Sequence, residues 1–514
     1  MSYRRIYWVL CVAGLAVCAV GLAVLMYAGD DSPERPELVV GEDTTCVTGP
    51  LTPDGQVDFA AAYNEFAGAG VTRENNAAVG LAEAVGMPYY AVPGTPLPLF
   101  GLNEPDSAIQ AMAAERMGGL VPGKPLPDFY LTDQFDGPWR EADSPEVARL
   151  LAEMAASLDT CVEAVRRPRW FYPCVMRDDF FEPSHPFCAR ERGVGKFLIA
   201  RGFYKMGQDQ ATTAWRDMQA AARLGVLIQQ GPSEMDMLIS MAITSVADAA
   251  IQRLATHMAD RAVLTEMLRD VSDRPPLDLE RIYRGHRIIA VGGIVGILRN
   301  PEIVANFPNY ELNGHELTDA EDARIRVALG RADPNAVLRA YNRLADKRDA
   351  ILQMDDRKAM VAASKVRDKQ RDDMAASLLE RLAKLHKASR KDQTRWVADA
   401  MMVLDSTRVE RLRDMLDRAE QARRITMVAV ALELHKLEHG AYPSQLDALS
   451  PTYLPAVPTD IFTGGAMIYN TVGTTYDLYS VGPDEKDNGG DRNKDVVSET
   501  TRLRAREKEE AGNK

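Results

Sequence analysis

The chain has 514 residues, 46% of them hydrophobic, and a formal net charge of −13 from 61 basic and 74 acidic side chains. That length allows roughly three domains, and the apolar content is that of a globular protein rather than a disordered one. The acidic balance argues against a nucleic-acid partner, whose phosphates such a surface repels.

Residues 6–28 are uncharged and long enough to cross a bilayer, which takes about 20 residues. Tyr7, Trp8 and Tyr27 stand near its ends, where interfacial aromatics belong. Arg4 and Arg5 precede the span while Asp30, Asp31 and Glu34 come after it, so the positive-inside rule keeps residues 1–5 cytoplasmic and exports the remainder of the chain. The expectation is a single-pass protein of the bacterial inner membrane with its bulk in the periplasm. A cleaved signal peptide is the alternative.

Residues 29–53, rich in Asp, Glu, Pro and Gly, read as a juxtamembrane stalk. From 54 to 140 a Pro-rich segment with short helices is expected, helical within 57–85 and again at 107–117, its aromatics wrapped onto the rest. An α-helical body comes next at 141–317. Within it residues 197–225 pair two helices around Gly207 with small alanines at the crossing, and weakly resemble a tetratricopeptide hairpin, which makes the body solenoid-like. Residues 288–298 are very apolar yet too short to span a membrane, and read as a buried helix. Long charged helices occupy 318–422, with Val409, Leu412, Leu416 and Ala419 as a seam stepping by three and four.

The last region, 423–499, runs from an apolar helix end through a Gly-Tyr-Pro exit and a short polar helix to strands joined by Gly-Asn-Asp turns. Gly440 suits a helix C′ position, Pro443 cannot continue the helix, and Tyr476, Leu478 and Tyr479 have strand character between Gly473 and Gly482. Ala431, Leu432, Glu433, Leu434, Lys436, Leu437, Gly440, Tyr442 and Pro443, then Leu446, Leu449, Tyr453, Leu454, Pro458 and Asp460, occur in one order. Tyr469, residues 476–480, Gly482, Asp484, Gly489, Gly490 and Asp495 continue it. This pattern resembles the C-terminal head of the type II secretion major pseudopilin. The resemblance implies an antiparallel sheet laid on a long helix, a calcium ion in the last loop, and secretion-system or other envelope proteins as partners. In that family the membrane helix leads directly into the head, whereas here the helical body intervenes, and the span holds no glutamate.

The whole therefore reads as α+β: an N-terminal transmembrane helix, a mainly α-helical body, and a long helix entering a small C-terminal antiparallel β-sheet head. A charged tail at 500–514 is expected to be disordered from 504 onward.

The acidic loop carries the main chemical expectation. Asp484, Asp487, Asn488, Asp491 and Asp495 surround Gly489 and Gly490, and hard oxygen donors on a flexible loop favour Ca²⁺. An exported protein also meets more calcium than a cytosolic one. A solvated surface turn is the alternative, kept open by Lys486, Arg492 and Lys494. Cys161, Cys174 and Cys188 lie in the exported part, where a disulfide among them is expected. Zinc held by Cys161, Cys174, His185 and Cys188, or free thiols, are the other readings. His435 and His439, four apart on the final helix, have no third ligand visible in sequence, and read as a helix-face coincidence. Residues 166–171, RRPRWF, read by default as a solvated patch. No catalytic motif appears, so interaction or assembly is expected, with an exported enzyme sited in the helical body as the alternative.

Overall fold

The computed structural model describes residues 35–85, 137–173, 188–302, 311–312, 315–405 and 408–512. The expected membrane span, the Pro-rich wrap from 87 to 136 and its helix at 107–117 lie outside these residues. The described chain divides into two compact units, one drawn from within residues 1–66 and 283–411, the other from within 67–174, 185–282 and 412–514.

The first unit is built from helices Asp319–Arg331, Pro334–Leu352, Arg357–Leu382 and Arg390–Asp405, with a small antiparallel pair, β1 (Glu311–Leu312) and β2 (His315–Glu316). Local chemistry sets where these charged helices begin. Thr318 and Glu321 form a reciprocal capping box, and the carboxylates of Asp333 and Asp356 accept the first free backbone N–H groups of the next two helices. Leu338, Met360, Leu378 and Trp396 are buried, and the charged side chains of Arg348 and Asp368 are buried with them. The Trp396 indole N–H donates to the Leu378 carbonyl at 3.0 Å. Residues 288–298 form the apolar end of helix Leu279–Arg299, with Val291, Ile294 and Leu298 buried as expected.

The expected stalk is not free along its described part. Asn335 exchanges hydrogen bonds with the backbone at Glu37 and Val39, Asn342 donates to the carbonyls of Asp43 and Thr44, and Arg339 pairs with Asp43 at 2.6 Å. Thr44 and Thr45 are completely buried. Side-chain amides of the Pro334–Leu352 helix thus take the place of water on this irregular backbone.

The second unit contains helices Ala77–Val85, Pro145–Glu153, Ala155–Ala164, Cys188–Gly207, Ala211–Ile228, Glu234–Thr256 and Arg261–Ser272. Cys188–Gly207 and Ala211–Ile228 form the expected hairpin, ending and restarting around Gly207, and Glu234–Thr256 packs on both. Gly207 has a steric reason: a Cβ there would lie 1.9 Å from the Trp139 carbonyl oxygen. Gly225 likewise lets the neighbouring helix close, since its Cβ would meet a Thr244 methyl at 2.6 Å. Glu234–Thr256 is, among the described residues, the one helix long and apolar enough to cross a membrane. Its Met237, Ile251 and Leu254 are buried, while Met235, Leu238 and Val246 on the same helix are exposed.

Helix Val409–His439, from Leu412 onward, belongs to the same unit, and Gly440 succeeds it at φ +77°. A 3-10 turn, Leu446–Leu449, leads to a three-stranded antiparallel sheet in the order β3 (Ile468–Val472), β4 (Thr475–Ser480), β5 (Val496–Val497). Gly473, at φ +60°, opens the two-residue turn between β3 and β4. One apolar cluster joins Leu224, Ile251 and Leu264 of the body to Val428, Leu432, Leu449 and Leu478 of this region. Each such side chain contributes about 1.5–3 kcal/mol on full burial, so sheet and body share one core rather than forming separate domains.

The tail departs from expectation, because Glu499–Gly512 is helical. Ser498 caps it through the Thr501 N–H, Thr501 is buried, Glu499 pairs with Arg253 at 2.6 Å, and Arg504 pairs with Asp477 at 2.5 Å. Composition alone misses these tertiary anchors.

Candidate functional site

The acidic loop is the connection from β4 to β5. Its base is fixed by Gly482, at φ +70°, where a Cβ would lie 2.1 Å from the Lys494 carbonyl oxygen, so the two arms of the loop approach more closely than any side chain permits. Beneath it Asp460 is buried, accepting from the backbone N–H groups of Phe462 at 2.8 Å and Val481 at 3.2 Å. Gln421 of the long helix holds the same turn by accepting from the Ile461 N–H at 2.8 Å. The Arg418 guanidinium donates to the Lys494 carbonyl at 2.9 Å.

Within the loop the structure brings three of the five expected ligands together. The Asn488 side-chain nitrogen lies 3.1 and 3.3 Å from the two carboxylate oxygens of Asp484, 3.3 Å from Asp495 Oδ1 and 2.8 Å from the Lys486 carbonyl oxygen. One point is therefore ringed by four oxygens, three of them from carboxylates. Asp495 is buried and also accepts from the Gly490 N–H at 2.8 Å. Burial pushes its carboxyl above the ordinary range, against the pull of the Gly490 and Asn488 donors. Asp484 is exposed and held below that range, first by the Lys486 backbone N–H and then by Asn488.

The other two are engaged separately. Asp487 accepts from the Tyr479 hydroxyl at 3.0 Å and the Gly489 N–H at 2.8 Å, and Asp491 accepts from the backbone and side-chain N–H groups of Asn493. Among the described residues no group of three or more His, Cys, Asp or Glu side chains is placed to hold a metal. Around the Asn488 amide the loop brings together two carboxylates and one backbone carbonyl.

Cys161 is a free thiol buried in helix Ala155–Ala164, its pKa pushed up to about 12 by burial. Cys174 and His185 lie outside the described residues, and Cys188 begins helix Cys188–Gly207. Residues 166–171 are not a solvated patch. Trp170 and Phe171 are buried, and Arg167 and Arg169 donate to the carbonyls of Asn76 and Ala69, clamping the turn before helix Ala77–Val85. His435 and His439 stand together at the C-terminal end of the long helix, ring centroids 4.3 Å apart.

Sequence reading missed Tyr479 and the Lys486 carbonyl. The period-two alternation of β4 marks Tyr479 as opposite in face to Leu478 but gives no sign that its hydroxyl reaches eight residues ahead. Backbone ligands leave no trace in residue type at all. Comparison of the chain with protein-family models, with curated proteins and with solved structures gives no match.

Proposed function

We propose that this chain is a membrane-anchored envelope protein whose C-terminal region is a calcium-stabilised head of pseudopilin type. On this reading it serves interaction or assembly linked to type II secretion rather than catalysis. The observation that supports it is the ring of oxygens about the Asn488 amide, on a loop closing a three-stranded sheet at the foot of a long helix. Calcium takes six to eight oxygens at 2.3–2.6 Å, mixing carboxylates, amide and backbone carbonyls and water. Asp484, Asp495 and the Lys486 carbonyl would hold it, with Asn488 turning its amide oxygen inward. The bound ion would supply the positive charge that the loop's own hydrogen bonds do not.

The test is thermal unfolding of the full detergent-solubilised protein with calcium and with chelator. An ion bound to the folded state alone stabilises it by about 2.7 kcal/mol at a hundredfold excess over Kd. The doubly substituted Asp484→Asn, Asp495→Asn protein should unfold at the same temperature in both conditions. Equal midpoints for the parent protein would sink the calcium reading. Purification from native envelopes in calcium, then mass spectrometry, should recover secretion-system components; their absence from calcium and chelator eluates alike counts against the assembly role.

A further inference from the structure

A different ligand chemistry lies at the C-terminal end of helix Val409–His439. His435 and His439 are one turn apart and so share a helix face. Their ring centroids are 4.3 Å apart with planes inclined at 42°. Gly440, at φ +77°, ends the helix and turns the chain so that the Ala441 carbonyl oxygen lies 3.0 Å from His435 Nδ1. A carbonyl oxygen only accepts, so Nδ1 carries a proton, and in the neutral ring Nε2 is then the nitrogen with the free lone pair. This is the arrangement in which a backbone carbonyl fixes tautomer and ring orientation of a metal-ligating histidine. Tyr453 stands edge-on to the His435 ring at 6.1 Å and restrains it further.

Two more features favour a cation here. The helix ends at this point, and its last carbonyls carry partial negative charge. The Glu438 carboxylate, between the two histidines in sequence, is already engaged by the Tyr453 hydroxyl and the Arg261 guanidinium. That leaves the imidazoles as the donors. His435 is half-buried and His439 exposed, so an ion reaches both from solvent.

We propose that His435 and His439 form a two-imidazole site for a divalent transition ion of the zinc, copper(II) or nickel type, the ions imidazole suits. It is independent of the acidic loop, whose oxygen donors select a harder ion. Two protein ligands leave coordination positions open to water or to a side chain of a partner.

The test uses the full chain with the acidic loop saturated by calcium. Calorimetric titration with zinc should show one more bound equivalent in the parent protein than in the His435→Ala, His439→Ala double variant. Each single variant should also lose that equivalent or bind it more weakly, whereas His257→Ala should retain it. With copper(II), paramagnetic resonance of the parent should show two nitrogen ligands, a signature lost in the double variant. Zinc should raise the unfolding temperature of the parent and not of the double variant, whose folding is checked in chelator by circular dichroism. If the double variant binds as many equivalents as the parent, or zinc shifts both equally, the site does not exist.

Discussion

Two regions of the second unit handle negative charge in opposite ways. In the helical body the Asp217 carboxylate is buried and receives two parallel hydrogen bonds from Arg201, at 2.6 and 2.9 Å, with Lys205 2.7 Å away; Arg201 reaches on to Asp159 at 2.8 Å. There, charge is answered by charge. In the β4–β5 loop every donor to Asp484, Asp487, Asp491 and Asp495 among the described residues is neutral: backbone N–H, asparagine amide or tyrosine hydroxyl. Lys486 and Lys494 act on Asp484 only through space. The body answers Asp217 with cations of its own, while these aspartates of the loop are met by neutral donors alone.

The largest effect should come from breaking the body's network. Asp217→Asn leaves Arg201, whose side chain is 7% exposed, without its buried counter-charge. Removing one partner of a buried pair costs about 3–5 kcal/mol. Urea unfolding of the variant and parent measures it. The loss should be the same in calcium and in chelator; a loss below about 1 kcal/mol would mean that water reaches the pair.

The loop should respond in the opposite manner. Asn488→Asp replaces the one amide that bridges Asp484 and Asp495 with a third carboxylate. The variant should unfold earlier than the parent in chelator and recover in calcium, so the gap between the two midpoints widens. A gap no larger than the parent's would place the ion, if any, elsewhere.

A buried carboxyl with a neutral partner stands between these extremes. Glu433 accepts from the Tyr442 hydroxyl at 2.7 Å, with the Lys436 ammonium only at 4.0 Å. Burial raises its carboxyl pKa above the ordinary value. Between the ordinary and the raised value the folded state therefore holds a proton that the unfolded chain has released. The resulting stability is full below the ordinary glutamate range near pH 4.3 and is lost as pH rises through the raised folded value. Glu433→Gln keeps an acceptor for Tyr442 and carries no charge. It should be more stable than the parent at neutral pH, with the advantage shrinking toward pH 4. A constant difference across that window would show that Glu433 is not the titrating group.

The range of an interaction decides whether sequence reveals it. Gly440, Pro443, Gly473 and Gly482 punctuate the last region through their own backbone preferences, so helix end, exit and strand β4 fall where residue type puts them. The alanine-rich hairpin around Gly207 is equally local. Long-range partnership is not legible in this way. The segment from Glu37 to Thr44 is held by Asn335, Arg339 and Asn342 almost 300 positions away, and the tail helix by Arg253 and Asp477. In the loop, the carboxylates are visible in sequence as a cluster, but only the folded backbone separates Asp484, Asn488 and Asp495 at one point from Asp487 and Asp491 beside it.

The smallest effect tests that separation. Tyr479 packs its ring under Gly490, where an added Cβ would lie 3.7 Å away, and its hydroxyl donates to Asp487. A side-chain hydrogen bond contributes about 0.5–1.5 kcal/mol net, and here the acceptor is exposed, so water replaces the donor readily and the low end applies. Tyr479→Phe retains the ring and should cost about 0.5 kcal/mol in urea unfolding, equally in calcium and chelator. If Asp487 instead belonged to the ion's first ring of ligands, losing the hydroxyl would free that carboxylate and change calcium affinity. A Kd shifted severalfold by Tyr479→Phe, at unchanged stability in chelator, would move Asp487 into the site alongside Asp484 and Asp495.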